Sequence, residues 1–165
     1  MGFAVRVATV HDADVACDVL RRSITECCVE DHKNAAVVLD VWLKNKTPQN
    51  VRSWFQNPGN FPVVAEVDGK IVGVALMSKS GEVALCYLVQ DARFIGAGKA
   101  LLSSMEIEAA RRGLDSLHLE STATARAFYL HNGFLPSDEP KEAFGVTVFP
   151  MRKRLSLTEK VSSDG

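Results

Sequence analysis

Two glycines stand one residue apart in the stretch RFIGAGKALL, residues 93–102, just after an apolar run and just before a segment of helical period. Where a strand passes into a helix through such a turn, the first backbone N–H groups of the helix point outward, and the helix dipole adds about half a positive charge. Glycine lets a bulky anion approach the backbone closely. We therefore predict that this turn holds a phosphate or pyrophosphate group. The backbone groups concerned belong to Gly96, Ala97, Gly98, Lys99 and Ala100.

Three phosphate-binding patterns compete for this turn. The P-loop pattern G-x-x-x-x-G-K-[ST] fails, because Arg93 stands at its first glycine and Ala100 at its hydroxyl position. The dinucleotide pattern G-x-G-x-x-G lacks its third glycine, since Leu101 stands there, and it normally follows the first strand of its fold. The pattern R/Q-x-x-G-x-G/A is satisfied in full by residues 93–98.

The downstream sequence adds a second motif of the form A-x-x-F-Y-x-x-x-G-F in STATARAFYLHNGF, residues 121–134. With CYLVQDARFIGAGKALL before it and VTVFPMRKRL after it, the chain resembles the GNAT superfamily of acetyl-CoA-dependent N-acyltransferases over roughly residues 3–155. The spacing within 105–134 is similar to the YafP-like bacterial branch. The chain departs from the family pattern at Gln90, where many members have proline, and at Glu120–Thr122, where they have asparagine.

The resemblance implies that acetyl-CoA is the co-substrate and that the chain is an N-acetyltransferase acting on a primary amine by direct attack in a ternary complex. The pantetheine arm is expected to lie along the backbone near Leu88 and Val89 as an extra strand would. The N–H of Val89 is expected to polarise the thioester carbonyl. Arg93 is expected to close over the phosphates. Further cofactor contacts are expected from Phe94, Ile95, Thr122 and Phe128.

The resemblance implies that Tyr129 is the general acid that protonates the departing thiolate, a role that typically contributes about 10²–10⁴-fold in rate. An aromatic residue on the inner face of a helix is the alternative. Glu82 and Glu120 are candidate bases for the amine, directly or through water, and His118 is a weaker one. The alternative for each of these three is an ordinary satisfied or exposed polar group.

An acidic cluster precedes these motifs in the region expected to bind the acceptor. It contains Glu26, Glu30 and Asp31 beside His32. If these side chains line the cleft, they favour a cationic amine, and if they do not, they form a solvated acidic loop.

The elements needed to position these residues follow from the apolar pattern. We predict a strand at 3–8, a helix over about 12–28, a loop at 29–36, a short helix around 38–42, and a helix that begins at Thr47-Pro48. Asp68-Gly69 predicts a β-hairpin, and the apolar run Val83–Val89 predicts a central strand buried on both faces. Further along we predict a helix at 96–112, a strand at 116–120, a helix capped by Ser121 or Thr122, a loop at 136–142 and a last strand at 146–152.

These elements predict one α/β (α+β) domain over residues 1–155, with a frayed tail at 156–165. The resemblance implies the acyl-CoA N-acyltransferase fold, a mixed and mostly antiparallel central sheet whose parallel strands four and five splay apart, flanked by helices. The resemblance also implies a possible homodimer, since a dimer is usual for proteins of this kind.

The composition limits the function further. The chain has 165 residues, 47% of them apolar, and a net charge of −1 with spread basic residues, which argues against nucleic acid as the main partner. We expect no metal, because the four cysteines form no C-x-x-C pair. We also expect no membrane span, because no apolar stretch approaches the roughly 20 residues that one needs. The expected location is the cytoplasm and the expected partner a small-molecule or peptide amine. Two rival functions stay open: a module that binds CoA or another nucleotide without turnover, and a dinucleotide-dependent oxidoreductase.

Overall fold

The computed structural model describes residues 2–93, 95–143 and 145–155. Its first four strands are β1 (Ala4–Val7), β2 (Phe61–Val67), β3 (Lys70–Met77) and β4 (Val83–Leu88). The later strands are β5 (Ser116–Ser121), β6 (Leu135–Pro136), β7 (Lys141–Ala143) and β8 (Val146–Arg154). The helices are α1 (Ala13–Cys27), α2 (Val29–His32), α3 (Ala36–Leu43), α4 (Pro48–Gln56), α5 (Ala97–Arg111) and α6 (Ala123–His131).

Strands β1 to β4 form an antiparallel sheet in chain order. The predicted hairpin joins β2 to β3: Asp68 and Gly69 have φ of 52° and 77°, so both adopt the left-handed conformation that a tight hairpin turn requires. The predicted start of α4 is also confirmed, because the side-chain oxygen of Thr47 accepts a hydrogen bond from the N–H of Asn50 at 3.2 Å.

The second sheet has the order β5-β8-β6, and β7 pairs with β8. The two sheets meet at one parallel bridge between Glu82 and His118, where the N–H of His118 donates to the carbonyl of Gly81 at 3.1 Å. Among the described residues, β4 and β5 share no ladder beyond that bridge, so the expected pair of splayed parallel strands is confirmed. The expectation that Val83–Val89 is buried on both faces is wrong in part. Strand β4 is the last strand of its sheet, Ala84 is exposed, and its final residues are only half-buried.

Helices cover both faces of the first sheet. Helices α1 and α4 pack on one face through a cluster that includes Leu20, Val51 and Phe55. Helix α5 packs on the other face, where Leu101, Leu102 and Met105 are completely buried in a second cluster that extends to β5, β8 and α6. Burial of such side chains contributes roughly 1.5–3 kcal/mol each, which fixes α5 and its first turn against the sheet.

Two segments predicted as loops have regular structure. Residues 29–32 form the short helix α2, held by His32, whose ring Nε2 bonds the carbonyl of Ile24 at 2.9 Å. Residues within 136–142 contribute to β6 and β7, because β8 offers both of them a partner. Neither arrangement is encoded by local periodicity. The predicted tail at 156–165 lies outside the described residues.

Candidate active site

A cavity of about 540 Å³ opens where β4 and β5 part. Its wall comes from four elements: the end of α1, the end of β4, the glycine turn with the start of α5, and helix α6. The lining residues used below are Cys27, Cys28, Cys86, Tyr87, Leu88, Arg93, Gly96, Gly98, Lys99, Thr122, Phe128, Tyr129 and His131. Elements far apart in the chain therefore meet at one site.

The glycine turn begins α5 as predicted. Gly96 is the N-cap, with φ of 90°, a left-handed conformation that glycine adopts without strain. The N–H groups that follow at Ala97, Gly98 and Lys99 have no acceptor within the helix, because they lie in its first turn. The N–H of Ala100, predicted to belong to the cradle, instead donates to the carbonyl of Gly96 at 3.1 Å as the first bond of the helix. This part of the prediction is wrong.

Gly98 is the point of closest approach between α5 and the cavity wall. A Cβ atom at this position would lie 3.0 Å from Cζ of Phe128 and 3.3 Å from Cδ1 of Leu88. Ordinary carbon contacts are about 3.5–4.0 Å, so a side chain here would crowd both neighbours. Glycine therefore lets Phe128 and Leu88 pack directly against the start of the helix, where Gly98 is buried at the cavity wall.

The end of β4 presents main-chain groups to the same cavity, although not the group predicted. The N–H of Val89 donates to the carbonyl of Val72 at 2.9 Å, within the ladder with β3. This N–H belongs to the ladder, so the prediction that it polarises the thioester carbonyl is wrong. Because hydrogen bonding alternates along an antiparallel strand, Leu88 directs its N–H and C=O away from β3 and into the gap. The thiol of Cys27 donates to that carbonyl at 3.7 Å, which agrees with this orientation.

Tyr129 lies on the inner side of α6 and is 7% exposed. Its ring packs edge-on against Phe128 at 5.2 Å and Phe134 at 5.5 Å between centroids. Burial, followed by the nearby Cys86, raises the pKa of Tyr129 well above its ordinary value. The phenol is accordingly protonated at neutral pH and faces the cavity.

Helix α6 is held at its start by two caps. The side-chain oxygen of Thr122 accepts from the N–H of Ala125 at 3.2 Å, which confirms the predicted cap. Asp31 of α2 accepts from the N–H of Ala123 at 2.9 Å and from the hydroxyl of Thr124. Asp31 therefore ties α2 to the helix that carries Tyr129.

The predicted bases do not meet the phenol. Glu82 is exposed at the parallel bridge that begins β4, and Glu120 is exposed and ion-paired with Lys141. His118 lies at the same bridge as Glu82. None of these lines the cavity, and no carboxylate does so among the described residues.

The acidic cluster predicted to bind an amine does not line the cavity either. Glu26 lies 3.7 Å from Arg22, Asp31 caps α6, and Glu30 is exposed. His32 is buried, with Nδ1 accepting from the N–H of Asn34 at 3.0 Å, so its role is structural.

The other predicted cofactor contacts divide into two groups. Arg93, Lys99, Thr122 and Phe128 line the cavity. Ala97 is fully buried in the core, Ile95 is 42% exposed and outside the lining, and Phe94 lies outside the described residues.

Sequence reasoning missed most of the thiols and one phenol of the site. Cys27, Cys28, Cys86 and Tyr87 all line the cavity. Burial raises the pKa of both Cys28 and Cys86 to about 12, so both are protonated at neutral pH and are poor nucleophiles. The adjacent cysteines at the end of α1 were the available signal, but only the fold brings them to β4.

In the described part of the chain no group of three or more His, Cys, Asp or Glu residues is arranged to hold a metal ion. Over the same residues, no helix has the length and apolar character needed to cross a membrane.

Comparison with known proteins identifies the fold. A family model described as an acetyltransferase (GNAT) domain matches residues 28–155. Similar solved structures include a GCN5-related N-acetyltransferase from Rhodopseudomonas palustris, with a TM-score of 0.83 and 19% identity over 94% of this chain and 97% of that one.

Two further structures contain the cofactor. The PaiA N-acetyltransferase of Thermoplasma acidophilum, in complex with coenzyme A, has a TM-score of 0.79 and 18% identity over 93% of this chain and 99% of that one. The putative acetyltransferase yncA of Salmonella typhimurium, with acetyl-CoA, has a TM-score of 0.71 and 20% identity over 94% and 95%. No curated protein matches the chain. These TM-scores establish a shared fold.

Proposed function

The chain belongs to the GNAT acetyltransferase family, and we propose that it transfers the acetyl group of acetyl-CoA to a primary amine by direct attack in a ternary complex. The observation that carries this proposal is the convergence on one cavity of free first-turn amides, a strand edge without a partner, and a buried phenol. The YafP-like branch stays a prediction.

The start of α5 suits the diphosphate of CoA. The N–H groups of Gly98 and Lys99 supply donors, and the helix dipole adds about half a positive charge at the cavity wall that both residues line. The side chains of Arg93 and Lys99 add positive charge to the same wall. Gly96 holds this turn in its left-handed conformation.

The edge of β4 suits the pantetheine arm, which carries amide groups that can pair with a strand. Leu88 offers one N–H and one C=O in the gap that β5 leaves open. The Leu88 N–H replaces that of Val89 as the group that polarises the thioester carbonyl and stabilises the negative charge developing on its oxygen.

The cofactor supplies an activated acetyl thioester, and Tyr129 supplies the proton that its thiolate needs on leaving. A phenol is protonated at neutral pH at its ordinary pKa of about 10, and burial raises the pKa of Tyr129 further. Phe128, Phe134 and the Asp31 cap hold the ring and its helix in place. A positioned acid of this kind typically contributes about 10²–10⁴-fold.

The amine must lose a proton before it attacks. Glu82 and Glu120 lie outside the cavity, so either of them can accept the proton of the amine only through intervening water molecules. An amine that enters in its neutral form needs neither of them before it attacks, and the proton that its nitrogen loses after attack restores the Tyr129 phenol that protonated the thiolate.

The rival proposal is a module that binds CoA without turnover. The amides and the strand edge serve both functions equally. The cavity-facing phenol favours turnover, because binding alone does not require a proton donor beside the sulfur.

The deciding experiment incubates purified protein with acetyl-CoA and a panel of amino acids, peptides, polyamines and amine drugs, and measures the release of free thiol. Turnover is expected with at least one amine, and Tyr129→Phe is expected to slow it by about 10²–10⁴-fold. Cys86→Ala, which shortens a neighbouring side chain of the cavity wall and keeps the phenol, is the matched control and is expected to retain turnover.

A melting assay separates the rivals. CoA at 100 times its Kd stabilises a protein by about 2.7 kcal/mol. Stabilisation without thiol release from any amine supports the binding module, while stabilisation by NAD in place of CoA supports the oxidoreductase. If the Tyr129→Phe variant releases thiol at the wild-type rate, the phenol takes no part in the mechanism.

A further inference from the structure

Three of the four cysteines of the chain line the proposed cofactor cavity. Cys27 and Cys28 come from the end of α1, and Cys86 comes from β4. The fourth, Cys17, is 1% exposed and donates to the carbonyl of Lys46 at 3.2 Å, away from this wall. The thiols therefore cluster where a thiol-bearing cofactor is proposed to lie.

Cys27 is half-buried, whereas Cys28 is 6% exposed, so Cys27 is the more accessible of the adjacent pair. Cys86 is half-buried as well, and Cys27 differs from it by its contact with the carbonyl of Leu88. Burial raises the pKa of Cys28 and Cys86 to about 12, which leaves very little of the thiolate that reacts.

Cys27 also lies against the main-chain group that the pantetheine arm is proposed to use. Its Sγ is 3.7 Å from the carbonyl oxygen of Leu88, in the gap between β4 and β5. A pantetheine arm paired with Leu88 takes the place of this thiol–carbonyl contact, so the arm and the Cys27 sulfur become neighbours. The terminal sulfur of the cofactor belongs to the same arm.

We infer that Cys27 is a modification site that captures the cofactor as a mixed disulfide when CoA disulfide enters the cavity. This inference rests on the proposed function, because it takes the position of the pantetheine arm from it. The Cys27 thiolate attacks one sulfur of the CoA disulfide, a Cys27–CoA disulfide forms, and the old sulfur–sulfur bond breaks. The second CoA leaves as a thiolate and takes up the proton that Cys27 lost. The exchange is balanced and needs no further oxidant.

The adduct closes the site to acetyl-CoA. The captured cofactor fills the pantetheine gap while its linkage to Cys27 keeps it from leaving, so turnover stops until a thiol reductant restores Cys27. Oxidation of the cofactor pool would in this way arrest the enzyme reversibly.

The test uses the full chain, reduced and freed of reductant, and then incubated with CoA disulfide. Intact mass is measured before and after dithiothreitol, and the modified peptide is mapped. The expected result is one CoA per chain, on Cys27, that dithiothreitol removes. Cys27→Ser is expected to lose the adduct, while Cys28→Ser and Cys86→Ser keep it.

Two comparisons show whether the cavity directs the reaction. Acetyl-CoA at 100 times its Kd leaves about one site in a hundred open, so it is expected to slow the adduct about a hundredfold. Glutathione disulfide at the same concentration is expected to react several times more slowly than CoA disulfide. Equal rates, or no protection by acetyl-CoA, would show an ordinary accessible thiol and overturn the inference.

Other outcomes also decide the matter. An adduct mapped to Cys28 or Cys86, a disulfide between Cys27 and Cys28, or no adduct in a protein that CoA stabilises against melting each overturns the inference and leaves the proposed function standing. A protein that CoA does not stabilise at all contradicts the proposed function itself.

Discussion

Two glycines at opposite ends of α5 allow backbone strain to be separated from ligand binding. Gly96 begins the helix with φ of 90°, and Gly113 follows its end with φ of 79°. A Cβ at Gly113 would meet nothing within 4 Å, and one at Gly96 would meet only Phe3 at 3.7 Å, an ordinary contact. Alanine at either position therefore costs mainly the strain of a left-handed residue, roughly 1–2 kcal/mol.

We expect both Gly96→Ala and Gly113→Ala to lower Tm by about 2–8 °C, since 1 kcal/mol corresponds to about 2–4 °C in a chain of this size. Only Gly96→Ala should weaken CoA binding, because the turn at Gly96 aims the amides of the next residues at the cavity. Losing one hydrogen bond to a charged phosphate costs about 1.5–3 kcal/mol. The Kd for CoA should rise roughly 10- to 100-fold.

Isothermal titration with CoA, combined with thermal melting of the three proteins, measures both effects. Gly113→Ala should bind CoA as the wild type does despite its lower Tm, which controls for general destabilisation. If Gly96→Ala melts at the expected lower temperature and still binds CoA with the wild-type Kd, the amides that begin α5 do not hold the diphosphate.

Three further predictions concern packing, capping and pH. Gly98→Ala places a methyl 3.0 Å from the Phe128 ring, and the resulting overpacking should cost about 1–3 kcal/mol of stability. Thermal melting should show a lower Tm, and titration should show weaker CoA binding in the same variant. Asp31→Ala removes the cap that α2 provides to α6 and should cost about 0.5–2 kcal/mol in urea unfolding, while an unchanged free energy of unfolding would show that the cap is dispensable. Hydrogen bonding to Arg6 lowers the pKa of Asp12 from 3.8 to about 2; because the folded pKa lies below the unfolded one, this stabilisation is present above about pH 4 and is lost as the pH falls towards 2. Arg6→Ala should therefore be less stable than the wild type at pH 6, and the difference in unfolding free energy should shrink between about pH 4 and pH 2; a constant difference would contradict this assignment.

The sequence predicts those parts of the fold that local chemistry determines. The Asp68-Gly69 turn, the Thr47 and Thr122 caps, and the glycine start of α5 each depend on a few neighbouring residues. The parallel pair β4 and β5 was expected from the resemblance, and the bridge at Glu82 confirms it.

The details that the sequence does not predict depend on contacts between distant segments. Which N–H of β4 is free depends on its register with β3, and that register assigns Val89 to the ladder and Leu88 to the gap. In the sequence Asp31 is one residue of an acidic stretch, and its role as a helix cap is visible only in the structure, where α6 lies beside it. The cavity face of Cys27 likewise exists only because α1 ends opposite β4.

The start of α5 and the open edge of β4 are proposed to hold CoA together, with its sulfur beside Tyr129. A crystal structure of the protein with CoA is the direct test. We expect diphosphate oxygens about 2.7–3.2 Å from the backbone nitrogens of Gly98 and Lys99, with the pantetheine arm paired to Leu88. A diphosphate bound elsewhere, with the gap between β4 and β5 free of cofactor, would contradict it.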